Sequence, residues 1–159
     1  MGIMPTNTVS TNKVSTSKNQ SRENYFVFND ITTRWSDNDV YGHVNNVTYY
    51  SYFDTAANNY LIEKGGLDIE NSPVIGFVVN SGCNYNSAIA YPDKIETGLR
   101  VDKLGNSSVQ YGVAIFKKGM DEACAHGHFV HVFVSRKTNK SVPIPEKIRT
   151  ALQAILVKN

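Results

Sequence analysis

A polar turn that leads directly into an aromatic helix pattern, at residues 37–50, constrains the fold of this chain most. The turn carries Asp37, Asp39, Gly42 and His43, and it follows a segment rich in β-forming residues. Acidic groups beside a helix N-terminus are favoured by the helix dipole but are costly to remove from water. Carboxylates in such a place commonly carry chemistry, so we expect a functional loop at this junction of a strand and a helix.

The residues after the turn predict one long helix. Apolar side chains recur there at intervals of three and four, as they do on one face of a helix. This face consists of Tyr50, Phe53, Ala57, Tyr60 and Leu61. Gly65 and Gly66 predict its end, because glycine readily adopts the left-handed backbone conformation that follows many helices.

The rest of the chain predicts antiparallel strands joined by hairpins. Apolar and polar residues alternate along these segments, as on a strand with one buried face. The predicted strands are 25–35, 74–85, 94–104, 107–118 and 122–136, and a short last helix follows Pro145. A bend is expected in the first strand at Asn29 and Asp30. An aromatic helix needs a sheet to cover it, so the order of elements predicts an α+β architecture.

The chain length of 159 residues suits one domain. Residues 1–23 are dominated by Thr, Ser, Asn and Lys and contain few large apolar side chains, which predicts a disordered tail. Residues 24–159 are expected to form the single domain. The tail weakly fits a transit peptide or a myristoylation pattern, and a flexible terminus without a targeting role is the favoured interpretation.

Charge, hydropathy and cysteine content exclude several function classes. The net charge is +2 and the basic residues are scattered, so nucleic acid is not an expected partner. No apolar run approaches the roughly 18 residues that a membrane span needs. Cys83 and Cys124 lack a metal-ligand spacing and are interpreted as free thiols, which predicts the cytoplasm. His126 and His128 share one face of a strand while His131 points to the other, so we predict no metal and no cofactor.

The stretch from Asp37 to Tyr50 resembles the hotdog-fold acyl-thioester hydrolases of the 4-hydroxybenzoyl-CoA thioesterase-like group. In that group an aspartate lies three residues before a glycine at this turn, and Asp39 and Gly42 match that spacing. The resemblance implies a hotdog fold, in which a curved antiparallel sheet of about five strands wraps around a long central helix. It also implies an acyl-CoA thioesterase in which Asp39 is the general base or the nucleophile.

The same stretch also resembles the acyl-carrier-protein thioesterases of plants. That group uses an aspartate, an asparagine two residues later and a histidine two residues after that. Asp39 and His43 match these positions, whereas Tyr41 stands in place of the asparagine. The resemblance therefore implies a mechanism centred on Asp39, with His43 as an auxiliary group. The carrier stays open between coenzyme A and acyl carrier protein.

A single hotdog unit leaves one edge of its sheet and one side of its pocket open. The resemblance therefore implies a homodimer with sites at the subunit boundary, or a homotetramer built from two such dimers. Substrate contacts would then come from both chains and include the strand from Phe77 to Tyr85.

Thioester hydrolysis needs a base or nucleophile, a donor for the oxyanion and a groove for the acyl chain. The main-chain N–H groups from Gly42 to Val44 are the expected oxyanion donors, because a helix N-terminus favours negative charge. Asn45 and Asn46 lie next to this substrate region and are expected to cap the helix and to hold the turn against a strand. Tyr50 and Phe77 are the expected contacts of the acyl chain.

Other interpretations of the same residues stay open. Asp39 could be only a turn or helix-capping acid, which is common at such positions. Asp37 is interpreted as a structural acid that binds turn amides or pairs with Arg34. A hotdog hydratase or dehydratase would act on an acyl-CoA double bond, although the proline that usually precedes its histidine is absent here. A module that binds acyl thioesters without turnover would have the same fold.

Overall fold

Five antiparallel strands form one sheet in the order β1-β3-β4-β5-β2. The computed structural model describes residues 20–158. The strands are β1 Val27–Thr32, β2 Val74–Tyr85, β3 Lys94–Leu104, β4 Ser108–Lys117 and β5 Ala125–Ser135, and the helices are α1 Thr48–Glu63 and α2 Glu146–Gln153. The sheet is curved and the long helix α1 packs against it, so the predicted hotdog fold is confirmed.

The contact between α1 and the sheet forms the main core. Phe53, Ala57 and Leu61 on α1 are almost completely buried against the sheet. A side chain at Gly127 on β5 would place its Cβ 2.9 Å from the Phe53 ring, so the glycine lets helix and sheet approach closely. Burial of each large apolar side chain contributes about 1.5–3 kcal/mol. The predicted helical face is therefore largely confirmed, although Tyr50 is only half-buried.

Gly65 and Gly66 end α1 as predicted. The N–H groups of Gly65 and Leu67 both donate to the Leu61 carbonyl at 3.0 Å. Gly66 has a φ of +70°, in the left-handed region that glycine adopts without strain. Near the same end of α1, the Tyr60 hydroxyl donates to the Ala151 carbonyl at 2.6 Å, which ties α1 to α2.

The first strand is shorter and straighter than predicted. It ends at Thr32, and the segment predicted to complete it forms a single turn of 3-10 helix at Trp35–Asp37. Asn29 and Asp30 stay in register with β3, so the predicted bend at this pair is wrong. The irregularities lie instead in β2, between Val78 and Asn80, and in β3. Polar residues fit an edge strand such as β1 without a bulge, because one side of it faces solvent.

Residues 20–23, which lie before the predicted domain boundary, contact the domain. The Ala123 N–H donates to the Gln20 carbonyl, and the Arg22 N–H donates to the Asp121 carbonyl. The Arg22 guanidinium also lies over the Phe116 ring, 4.8 Å from its centroid. The last four residues of the predicted tail 1–23 therefore pack on the domain. The part of that prediction that concerns residues 1–19 lies outside the described residues.

The strand β2 lies at one end of the sheet and pairs only with β5 among the described strands. Its outer edge carries Phe77, Val78 and Val79, which are 41, 47 and 57% exposed. A long apolar edge strand is a place where another chain can add to a sheet. The fold thus leaves β2 as an apolar edge strand that is open on one side among the described residues.

Candidate active site

The loop between β1 and α1 closes on itself in a tight turn. The Asp39 N–H donates to the His43 carbonyl at 2.8 Å, and the Gly42 N–H donates to the Asp39 carbonyl at 3.2 Å. Gly42 has a φ of +85°, which a residue with a side chain rarely adopts. The glycine of the turn is therefore required by the backbone path, and the path brings Asp39 and His43 together.

The Asp39 carboxylate is half-buried and uses one of its oxygens to hold this turn. Its Oδ1 accepts from the Tyr41 N–H at 2.8 Å and lies 3.4 Å from the donating N–H of His43. Its Oδ2 accepts no hydrogen bond from residues 20–158. One oxygen therefore fixes the orientation of the carboxylate, and the other is available to water or substrate.

The Asp37 carboxylate is buried and fully bonded. It accepts from the Arg34 main-chain N–H at 2.9 Å, from the Arg34 guanidinium at 2.9 and 3.1 Å, and from the Tyr52 hydroxyl at 2.9 Å. Burial raises its pKa, but these hydrogen bonds outweigh burial and hold the pKa below its usual value. The pKa of Tyr52 is raised by burial and by its bond to Asp37. The interpretation of Asp37 as a structural acid paired with Arg34 is confirmed.

Asn45 caps the start of α1, as the sequence suggested. Its Oδ1 accepts from the Val47 N–H at 3.2 Å, and its main-chain carbonyl accepts from the Thr48 N–H at 2.9 Å. Its own N–H donates to the Asp37 carbonyl at 2.8 Å. Because Asp37 is itself anchored to Tyr52 on α1, the loop is fixed to the helix at two points.

Asn46 joins the loop to β2. Its main-chain carbonyl accepts from the Tyr85 hydroxyl at 2.9 Å, and the Tyr85 ring packs edge-on against Tyr49 at 4.9 Å. The expected contact between the turn and a neighbouring strand is therefore present. It is made by the main-chain carbonyl of Asn46 and not by its side-chain amide.

The structure does not support Gly42 and Val44 as oxyanion donors. The Gly42 N–H is used inside the turn, and the Val44 N–H donates to the Ile89 carbonyl at 2.7 Å. His43 uses its N–H to hold Asp39. The N–H of Asn46, in contrast, has no acceptor within the described part of the chain. Asn46 was predicted as structural, and no pattern in the sequence marks its N–H as the unoccupied one.

A cleft of about 300 Å³ lies beside the loop. It is lined by His43, Val44, Asn46, Tyr49, Tyr85 and residues 86–88. The structure therefore brings His43 and Asn46 to one wall, next to the turn that holds Asp39. Residues 86–88 were not predicted here, because long-range contacts on either side of them, from Tyr85 to Asn46 and from Val44 to Ile89, bring them to the loop.

The two predicted acyl contacts, Tyr50 and Phe77, do not line this cleft, although Tyr50 interacts with Tyr85, which does. Tyr50 is half-buried on α1 and packs against the Phe53 ring at 6.3 Å. Phe77 pairs with Val132, whose neighbours His131 and Phe133 are buried on the face toward α1. Since successive side chains on a strand alternate, Phe77 lies on the opposite face of the sheet. The expected contact of Phe77 with an acyl group at a subunit boundary stays a prediction.

The histidines on β5 have separate surroundings. His128 lies 2.7 Å from the Asn80 Oδ1 on the outer face, and His131 is buried on the inner face. Over residues 20–158, no group of three or more His, Cys, Asp or Glu side chains is close enough to hold a metal ion. Within the same range, no helix is long and apolar enough to cross a bilayer.

Comparison with protein families identifies the family of this chain. Residues 33–152 match the family model of the thioesterase-like superfamily. The chain belongs to this superfamily. The predicted family is confirmed, and with it the predicted enzyme class, a thioester hydrolase, at the level of the family.

Individual relatives and solved structures are similar to this chain over most of its length. The crystal structure of the PA5185 protein from Pseudomonas aeruginosa is 59% identical, covers 86% of this chain and 96% of its own, and superposes with a TM-score of 0.85. The YsmA protein of Bacillus subtilis is 26% identical over 76% of this chain and 81% of its own. A 1,4-dihydroxy-2-naphthoyl-CoA thioesterase from Synechocystis, Slr0204, is only 15% identical, over 79% of this chain and 94% of its own. Its TM-score of 0.72 shows that it shares the fold.

Proposed function

We propose that this protein is an acyl-CoA thioesterase that uses Asp39 as its general base or nucleophile. The main support for the proposal is that the two oxygens of the Asp39 carboxylate have different surroundings. One oxygen is held by main-chain N–H groups, while the other accepts no hydrogen bond from residues 20–158, and His43 of the same turn lines the cleft. A free and oriented carboxylate is what a hydrolytic attack on a thioester requires.

In the general-base route, the Asp39 Oδ2 takes a proton from a water molecule as the water oxygen attacks the thioester carbonyl. The tetrahedral intermediate then expels the coenzyme A thiolate, which receives the proton back from the Asp39 carboxyl group. In the nucleophilic route, the Asp39 Oδ2 itself attacks, the thiolate leaves, and water hydrolyses the mixed anhydride. Both routes consume one water and release one carboxylic acid and one thiol.

The oxyanion would be held by the Asn46 N–H at the start of α1. This N–H has no acceptor among residues 20–158, and Asn46 is one of the residues that line the cleft. The helix dipole of α1 adds partial positive charge at the same end. Loss of one such donor typically costs about 10²–10³-fold in kcat. His43 lies on the same wall and is assigned as an auxiliary group that orients substrate or water.

The complete site would be formed by a homodimer, or by a homotetramer of two such dimers. The outer edge of β2 is apolar and meets no other described strand, so a second copy can continue the sheet. The partner would then cover the half-buried side of α1 at Tyr50 and convert the open groove into an acyl pocket. A subunit boundary is a common place for such pockets.

Coenzyme A is the proposed carrier, and acyl carrier protein is the alternative. The structural neighbour Slr0204 acts on a CoA thioester, which supports the first choice. The cytoplasm, where acyl-CoA is made and used, is the proposed compartment. Both cysteines are free thiols, as expected for a reducing environment.

Release of free thiol from a panel of short, long and aromatic acyl-CoAs, followed spectrophotometrically, tests the function. Hydrolysis that is lost in Asp39→Asn while the fold is retained supports the proposal. Loss of a conjugated acyl double bond without thiol release would instead show a hydratase. Tight binding without either reaction would show a binding module. Transfer of solvent oxygen label into the Asp39 carboxylate under single turnover would distinguish the nucleophilic route from the general-base route.

A further inference from the structure

The segment before β1 reaches the wall of the cleft beside the candidate active site. Gln20 is only 8% exposed, and its Oε1 accepts from the Asn86 Nδ2 at 2.6 Å. Asn86 is one of the residues that line the cleft. Gln20 lies before the region that matches the family model, residues 33–152, so this contact joins the cleft to a part of the chain outside that region.

The main chain holds Gln20 in place. Its carbonyl accepts from the Ala123 N–H at 3.1 Å, and the next residue, Ser21, pairs with Glu122 in an antiparallel bridge. Residues 20 and 21 therefore run beside residues 122 and 123, in the connection between β4 and β5. A buried side chain on such a paired backbone has little freedom, so the Gln20 Oε1 is a fixed acceptor for Asn86.

The cleft wall at residues 86–88 depends on this acceptor for the orientation of one side chain. The N–H groups of Asn86 and Ser87 both donate to the Cys124 carbonyl, at 2.8 and 3.0 Å, which holds the backbone of the wall. The Asn86 side-chain amide has only one other contact among the described residues, at 3.4 Å from its Nδ2 to the Ala123 carbonyl. The shorter bond to Gln20 therefore decides where the amide points.

Two polar groups of this wall remain available to a ligand. The Asn86 Oδ1 and the Ser87 hydroxyl make no hydrogen bond within residues 20–158, and both residues are exposed. An amide group of a ligand needs an acceptor for its N–H and a donor for its carbonyl. The Asn86 Oδ1 can accept and the Ser87 hydroxyl can donate. Amides occur in the arm that carries the thiol of coenzyme A, whereas an acyl chain is apolar.

We propose that Asn86 binds the amide-containing arm of the carrier thiol, and that Gln20 is the positioning residue that orients the Asn86 amide. The proposal rests on the thioesterase function proposed above and names two residues for the recognition of its carrier. Without the bond to Gln20, the Asn86 side chain would rotate freely and the substrate would have to order it on binding. Neither residue bonds to Asp39, so the effect falls on binding and not on the chemical step.

Steady-state thiol release by Gln20→Met tests the positioning role. Methionine keeps the length of the side chain and removes the acceptor, so the fold should be retained. KM for an acyl-CoA is expected to rise by about threefold to tenfold, the cost of ordering one side chain on binding, while kcat stays unchanged. An unchanged KM, or a loss confined to kcat, overturns the proposal.

The variant Asn86→Ala shows whether Gln20 acts through Asn86. Asn86 is exposed, so this variant should fold. Its KM should rise at least as much as that of Gln20→Met, and the double variant should show no further rise, because the two residues form one unit. An unchanged KM in Asn86→Ala, or a further rise in the double variant, overturns the proposal.

Tyr60→Phe is the matched control for the loss of one hydrogen bond elsewhere in the fold. It removes the bond to the Ala151 carbonyl near the end of α1, far along the helix from the cleft. Its melting temperature should fall and its KM should stay unchanged. A rise in KM as large as that of Gln20→Met would show that any loss of stability weakens binding, and would overturn the positioning role.

A binding measurement separates this proposal from the thioesterase function. If the unaltered protein releases no thiol from any acyl-CoA, the thioesterase function fails, and calorimetric titration with coenzyme A decides the inference. An affinity about threefold to tenfold weaker in Gln20→Met than in the unaltered protein supports it. Equal affinity of the two proteins, or no binding by the unaltered protein, overturns it.

Discussion

Asp37 and Asp39 lie two residues apart in the loop before α1, and their carboxylates have opposite surroundings. Asp37 is 1% exposed and accepts four hydrogen bonds from Arg34 and Tyr52. Asp39 is half-buried, and only its Oδ1 is bonded. The Asp37 carboxylate joins the loop to the helix, and the Asp39 carboxylate keeps one oxygen without a hydrogen bond from the described residues, as the proposed reaction requires. A reactive group is held accurately when its supporting neighbours are themselves fixed.

The largest expected effect is the loss of activity in Asp39→Asn. The amide oxygen can still accept from the Tyr41 and His43 N–H groups, so the turn should keep its shape. The free oxygen becomes an amide nitrogen that cannot take a proton, and kcat should fall by about 10³-fold. Thiol release measures kcat, and denaturant unfolding should show a change below about 1 kcal/mol. Retained turnover would show that Asp39 has only a structural role, as Asp37 has.

Asp37→Ala should give the reverse result, a large loss of stability. The change leaves the buried Tyr52 hydroxyl unpaired and releases the Arg34 side chain, at a cost of about 3 kcal/mol. Tyr52→Phe is the matched control, because it removes one of the four bonds and should cost about 1 kcal/mol. Chemical denaturation measures both. Equal stability of Asp37→Ala and the unaltered protein would show that the anchor is unimportant.

Acid should weaken the folded state in two steps. Burial lowers the pKa of His131 to about 4, although the Asp54 charge partly opposes this. As the pH falls from about 6.5 to 4, the unfolded chain therefore takes up a proton that the folded protein does not. The free energy of unfolding should decrease by about 3 kcal/mol over this window. Below about pH 4 the protonation of Asp37, whose folded pKa is depressed, should remove further stability.

Melting temperatures measured across this pH range check the assignment. In His131→Leu the slope between about pH 6.5 and 4 should flatten, while the loss below about pH 4 stays. If the melting temperature of this variant falls with pH as steeply as that of the unaltered protein, His131 does not cause the loss of stability. The carboxylates would then account for all of it.

The smallest expected effect is that of His43→Ala. The His43 side chain is exposed, and it is the main chain of this residue that holds the turn. A loss in kcat of about tenfold or less fits an auxiliary group, since a general acid or base contributes about 10²–10⁴-fold. The same thiol-release assay applies. A loss as large as that of Asp39→Asn would make the two residues equal partners in the reaction.

The sequence predicted the elements that follow a local pattern. The strands β3 and β4 lie within one residue of their predicted bounds, and α1 ends within two residues of the predicted glycine pair. Each of these elements has a clear period and a glycine or hairpin at its end. The position of Asp39 in the loop before α1 followed from the same local pattern. The predicted bend at Asn29 failed, because edge strands tolerate polar residues that would disrupt a central strand.

The sequence could not predict which main-chain N–H groups of the loop are already hydrogen-bonded. The Val44 N–H is bonded to Ile89, 45 positions further along the chain, and only the folded sheet brings the two together. The face of Phe77 was equally hidden, because β2 is exposed on both faces at this point and shows no clear alternation. Local patterns thus locate the loop, while long-range pairing decides which of its groups remain available.

The close contact between Gly127 and Phe53 has a consequence for the evolution of this chain. A Cβ at position 127 would overlap the main-chain carbonyl oxygen of Gly82 on β2 and would also lie 2.9 Å from the Phe53 ring on the helix. A smaller residue at position 53 would relieve only the second contact, so homologues should keep glycine at position 127 whatever residue they carry at position 53.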